Sequence, residues 1–129
     1  MLLDQNLKCY GRLQNEECIR IIKKSNFVVF SRDINRVTSA GFPTKVFEAF
    51  KYGLPTLTNN TSDVDKYIHK ENGFLMLEAS VDVFSNCINS ILTSDIAKLK
   101  TVIENCRRKN PFFYVNYQKN TELFFKKLD

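Results

Sequence analysis

Gly41-Phe42-Pro43-Thr44-Lys45-Val46-Phe47-Glu48-Ala49-Phe50-Lys51-Tyr52-Gly53-Leu54-Pro55 decides how this chain is read. Val46, Ala49 and Phe50 recur at i, i+3, i+4 and give a helix from about Thr44 to Tyr52 one apolar face. Lys45, Glu48 and Tyr52 fall on another face. Gly53 ends the helix, and Leu54 to Thr58 reads as a strand, with Pro55 tolerable only near its start. A glycine turn, a helix N-terminus with free N–H groups and two charged flank residues together suit an anionic ligand.

The pattern alternates outward from this run. Leu7-Lys8-Cys9-Tyr10 reads as a short strand closed by Gly11. A helix follows, capped by Asn15, with Glu16 and Glu17 at its positive end and an inward stripe of Cys18, Ile21, Ile22 and Ser25. Phe27-Val28-Val29-Phe30 is a continuous apolar run, expected to be buried on both faces of a parallel sheet. Ser31 to Ala40 is polar and aperiodic, and reads as a loop. After Thr58 come a loop at Asn59–Ser62 and a short helix through Asp63, Asp65 and Ile68, capped by Thr61 or Ser62. The turn Glu71-Asn72-Gly73 then leads to a strand at Phe74–Leu77. Helices are expected at about 81–92, 96–108 and 111–128, the last with Pro111 in its first turn.

This βαβαβαβ order predicts an α/β fold: a three-layer, Rossmann-like parallel sheet with right-handed crossovers and extra C-terminal helices. Ligands of such sheets sit outside the C-terminal ends of the strands. The two loops there, 31–43 and 59–63, bracket the Lys45/Glu48 helix.

Composition narrows the classes. The chain has 129 residues, enough for one core, and is 43% hydrophobic. Its net charge of +5 lies entirely in residues 98–129, where eight Lys/Arg face three acids, so a nucleic-acid surface is not expected. The four cysteines form no CxxC pair and His69 is the only histidine, which predicts no metal site and buried free thiols. Met1-Leu2-Leu3-Asp4-Gln5-Asn6 places an acid where a signal peptide needs a basic leader, which predicts a cytoplasmic protein. The sequons in Asn59-Asn60-Thr61-Ser62 then carry no meaning. A receiver domain does not fit, because no acidic pair precedes a strand-end lysine at the right distance.

Gly41, Pro43, Lys45, Glu48, Ala49, Gly53 and Pro55 match a Gly-x-Pro-x-Lys-x-x-Glu-Ala run followed by Gly-x-Pro. In this the chain resembles the retaining, nucleotide-sugar-dependent glycosyltransferases of family 4 (group 1), in their C-terminal, donor-binding Rossmann-like domain. Tyr10-Gly11-Arg12-Leu13, Ser25 to Ser31, Asn72-Gly73-Phe74-Leu75 and Phe113-Tyr114-x-x-x-Tyr117 resemble the segments flanking that run. The resemblance implies a GT-B fold and sugar transfer, with retention, from a nucleoside diphosphate sugar to a glycan or glycolipid acceptor, with no metal and no cofactor. It makes Glu48 and Lys45 the catalytic candidates, Glu48 accepting hydrogen bonds from the donor ribose and Lys45 reaching the diphosphate or sugar. Gly41, Phe42, Pro43 and Thr44 would approach the phosphates, with Arg32, Arg36, Asn59, Asn60 and Thr61 around the same crevice. A plain surface pairing of Glu48 with Lys45 or Tyr52 is the alternative reading of that helix.

Two departures stand out. Many members carry a first glutamate that would fall on Ala40. Two strands and a basic pair of the family's donor domain have no counterpart before Leu7. A partial domain is therefore expected, with exposed sheet edges that favour self-association. Residues 111–128 would dock on a missing N-terminal domain, or bring their lysines to an anionic membrane. The rival function is a non-catalytic α/β module that binds nucleotides or a protein partner.

Overall fold

A computed structural model describes residues 7–127. The leader segment 1–6 and the end of the expected last helix at Leu128 lie outside the described residues. Helix α1 (Asn15–Lys24) precedes strand β1 (Val28–Val29); α2 (Arg36–Ala40) and α3 (Thr44–Lys51) lead to β2 (Thr56–Asn59). A 3-10 turn at Val64–Lys66 leads to β3 (Gly73–Met76), then α4 (Val81–Leu92), α5 (Ile96–Arg108), a 3-10 turn at Tyr114–Tyr117 and α6 (Gln118–Phe125).

Among the described residues the sheet has three strands in the order β1-β2-β3, all parallel. Val28 pairs with Thr56, and Thr56 with Gly73. The expected α/β sheet is therefore present, with helices on both faces. Val46, Phe50, Val64, Ile68 and Cys106 form the core on one face, packed by Phe30, Phe42, Leu75 and Phe112. Leu57, Met76 and Ile91 form the other, packed by Phe27, Phe74 and α4 residues such as Phe84 and Ile88.

Several expectations are corrected. Residues 7–10 form no strand and lie exposed, because among the described residues no neighbouring strand takes up their hydrogen bonds. Cys9 is accordingly exposed, not buried; Cys18 and Cys87 are half-buried, and only Cys106 is fully enclosed. The doubly buried strand is β2, not the 27–30 run: all four β2 residues are buried, whereas Val29 at the sheet edge is 43% exposed.

The loop expected at 31–40 contains a short helix. Asn35 Oδ1 accepts from the amides of Val37 and Thr38 at 3.0 Å each, and Thr38 Oγ1 accepts from the Asn35 amide at 3.0 Å. This reciprocal cap stabilises α2 without any apolar periodicity. Neither Thr61 nor Ser62 caps the next short helix, whose N-cap is Asp63 without a side-chain bond. Gln14, not Asn15, is the N-cap of α1.

The expected continuous helix over 111–128 is broken. Asn110 Oδ1 accepts from the Phe112 amide at 2.9 Å, and Tyr117 Oη donates to the Pro111 carbonyl at 2.9 Å. These bonds give the backbone a turn in place of a helical start. Gly53 ends α3 as expected, with φ +66°, and a Cβ there would meet the Arg107 side chain of α5.

Candidate functional site

The C-terminal ends of β1 and β2 carry the segments that the sequence singles out. β1 runs into Ser31-Arg32 and on through α2 to the Gly41-Phe42-Pro43 turn. β2 ends in Asn59, followed by exposed Asn60 and buried Thr61. One side chain ties the two ends together. Asn59 Oδ1 accepts from the Arg32 amide at 2.9 Å and Ser31 Oγ at 3.4 Å, while Asn59 Nδ2 donates to the Arg32 carbonyl at 2.8 Å. The amide side chain thus does what a further ladder residue would do. Arg32 Nη1 in turn donates to the Gly41 carbonyl at 2.8 Å. Asn59 and Arg32 therefore shape the loop, and their polar groups are engaged within the protein.

At the turn, the backbone divides its donors. The Gly41 amide donates to the Val37 carbonyl at 3.1 Å, so it ends α2 and is not presented to a ligand. Gly41 sits at φ −112°, a conformation open to any residue; a Cβ there would touch only the Val37 carbonyl oxygen, at 3.4 Å. Pro43 is the N-cap of α3 and supplies no side-chain cap. The amides of Phe42, Thr44 and Lys45 have no acceptor among the described residues. Thr44 and Lys45 are the first two residues at the positive end of an eight-residue helix, and Phe42 precedes its N-cap Pro43.

Lys45 and Glu48 stand on the exposed flank of α3, as its periodicity predicts. Val46, Ala49 and Phe50 fill the opposite face. Lys45 Nζ lies 3.4 Å from Glu48 Oε2, with side chains 63% and 43% exposed. Such a solvent-exposed pair contributes only about 0.3–0.5 kcal/mol, so a ligand can separate it at little cost. The Glu48–Lys45 pairing anticipated from sequence is therefore the arrangement of the unliganded chain. Tyr52 takes no part in it; its ring lies near Lys51 instead.

Both residues border two open spaces. A cavity of about 560 Å³ lies between α1 and α3, lined by Asn15, Cys18, Ile22, Thr44, Lys45 and Glu48 among others. A second, of about 260 Å³, is walled by Val28, Val29 and Phe30 of the β1 segment together with Lys45, Glu48 and Ala49. Sequence reasoning missed the contribution of α1 to this wall. The signal was its amphipathic stripe of Cys18, Ile21 and Ile22, which needs a partner surface.

The remaining candidates separate. The Phe42 ring turns inward onto the core, against Tyr67 and Phe112, and lines neither of these spaces. Thr61 is buried, and its Oγ1 has no hydrogen-bond partner among the described residues. Arg36 opens α2 on an exposed surface. His69 is exposed and borders an apolar cavity of about 320 Å³ before β3, at the opposite end of the sheet. Among the described residues no group of three or more His, Cys, Asp or Glu is placed to hold a metal ion. No described helix is long and apolar enough to cross a membrane.

A parallel α/β sheet with an uncapped helix start and a Lys/Glu flank at its strand ends defines a Rossmann-like, anion-receptive domain. The family model for glycosyl transferases group 1 matches residues 1–109. The chain belongs to that family, and with it to the GT-B-fold glycosyltransferases that use nucleotide-sugar donors. No curated protein matches the chain.

Proposed function

We propose that this chain is the donor-binding domain of a retaining glycosyltransferase and that the start of α3 holds the nucleotide sugar. The observation that carries this reading is the set of free amides at Phe42, Thr44 and Lys45, beside the loosely paired Lys45 and Glu48. Two phosphates placed at the helix start would receive these N–H groups and, once the ion pair opens, the Lys45 ammonium. Glu48, one turn further along, would then accept the ribose hydroxyls. When the sugar–oxygen bond breaks, negative charge gathers on the departing diphosphate. Fixed amides and a lysine stabilise that charge without reorganising. The acceptor is a glycan or glycolipid hydroxyl.

Titration of the chain with uridine, guanosine and adenosine diphosphates, followed through the amides of residues 41–48, tests this. Shifts at Phe42, Thr44 and Lys45 are expected with at least one nucleotide. A charge-assisted hydrogen bond contributes about 1.5–3 kcal/mol, so Glu48→Ala should weaken that nucleotide by about 10- to 150-fold. Inorganic pyrophosphate, which has no ribose, should bind the variant at least as tightly as the parent, because Glu48→Ala also releases Lys45. No response at millimolar nucleotide, or equal nucleotide affinity in Glu48→Ala, would favour a non-catalytic interaction module.

A further inference from the structure

The Phe42 ring belongs to an aromatic cluster that extends well beyond the loop. It meets Tyr67 edge-on with centroids 5.3 Å apart, and Phe112 at 5.7 Å. Phe112 stacks on Tyr67 at 4.9 Å and an interplanar angle of 29°, closing a triangle of three rings. It also touches Phe47 and Phe50 of α3 at 5.8 and 5.5 Å. Phe112 thus contacts the turn, the helix behind it and Tyr67 beyond the Val64–Lys66 turn.

Its own placement is fixed by hydrogen bonds. Asn110 Nδ2 donates to the Phe50 carbonyl at 3.3 Å while Asn110 Oδ1 accepts from the Phe112 amide. Asn116 Nδ2 donates to the Asn110 carbonyl at 3.0 Å. The segment after α5 is therefore pinned to the C-terminal end of α3, and its aromatic side chain reaches forward to the start of the same helix. On the other side of the turn, Arg32 holds the Gly41 carbonyl. The free amide of Phe42 lies between these two grips.

We infer that Phe112 is a positioning residue for the phosphate-binding turn: its ring fixes Phe42, and through it the direction of the Phe42 and Thr44 amides. This rests on the reading of those amides as the diphosphate cradle. Aromatic contacts of this kind have preferred geometries that an aliphatic side chain of similar size does not reproduce. Donor alignment matters because small misplacements of a preorganised group lose much of its effect.

The test compares Phe112→Leu and Phe112→Tyr with the parent in the full chain. Without ligand, Phe112→Leu is expected to shift and broaden the amides of Gly41, Phe42 and Thr44, while those of Leu57 and Met76 stay in place. Its affinity for uridine diphosphate, or whichever nucleotide the parent binds, should fall by about tenfold, and Phe112→Tyr should restore both readouts. If Phe112→Leu does not fold, Tyr67→Leu removes the stacked partner and should give the same pattern. Unmoved turn amides in Phe112→Leu, or affinity equal to that of the parent, would overturn the inference. A parent chain that binds no nucleotide would instead overturn the cradle reading, and the ligand-free spectra would still decide whether the ring holds the turn.

Discussion

Replacing Asn59 by alanine should cost the fold about 2–3 kcal/mol, although the residue lies at a loop junction and its side chain is polar. Asn59 is fully buried, and two of its bonds to Arg32 are 2.8 and 2.9 Å long. Each contributes about 1 kcal/mol net, and the amide and carbonyl of half-buried Arg32 lose part of their hydration without recovering a partner. With a urea slope of about 1.5 kcal/mol/M, the unfolding midpoint should fall by roughly 1.3–2 M at unchanged slope. Asn59→Asp sharpens the test. An ionised carboxylate still accepts from the Arg32 amide but places a second negative oxygen against the Arg32 carbonyl. Burial and that carbonyl raise its folded pKa, so stability is retained below the ordinary carboxylate range and lost as pH rises through the folded value. Urea unfolding by circular dichroism at pH 4 and pH 7 reads both effects. A loss below about 0.5 kcal/mol for alanine, or aspartate behaving like alanine at both pH values, would refute the view that this amide completes the sheet.

Burial pushes the Cys106 thiol up from 9.0 to about 12, partly offset by Arg107. Its contribution to stability is complete below pH 9 and falls by at most about 1.4 kcal/mol per pH unit between 9 and about 12, so Cys106→Ala should flatten the alkaline decline; parallel unfolding curves would contradict this. The hydroxyl of fully buried Thr56 has no partner among the described residues, so Thr56→Val should raise stability by about 1 kcal/mol, read as a higher Tm; a lower Tm would mean that the hydroxyl is satisfied.

The sheet and the flanking helices were legible because their signals are local. The apolar run before Ser31, the Gly53 stop and the Asn72-Gly73 turn each mark an element edge within a few residues. The α4 and α5 bounds, Val81–Leu92 and Ile96–Arg108, match the helices expected at 81–92 and 96–108, each started by a local side-chain cap, Ser80 and Asp95. The strand at 7–10 could not be judged that way, because a strand exists only where a neighbour pairs with it. The α2 helix was hidden for the opposite reason: it has no core face, and only the Asn35/Thr38 spacing announces it. In the site, the Lys45/Glu48 flank was readable from period and position. The diversion of the Gly41 amide into α2, the role of Asn59 and the reach of Phe112 were not, since each depends on a partner 4 to 70 residues away in the chain (41 − 37; 112 − 42).

The pairing distances in the sheet also bear on the order of folding. Thr56 with Gly73 closes 17 residues (73 − 56), whereas Val28 with Thr56 closes 28 (56 − 28). By loop entropy alone the second closure costs roughly 0.4 kcal/mol more, and it fixes two strand residues in place of four. The β2–β3 pair is therefore expected to form first and β1 to dock afterwards. The loop leading to the Gly41 turn is anchored by that strand, so it is expected to open more readily than the β2–β3 pair. A ligand bound at the turn would raise hydrogen-exchange protection of Val28 to Phe42 more than that of Gly73 to Met76.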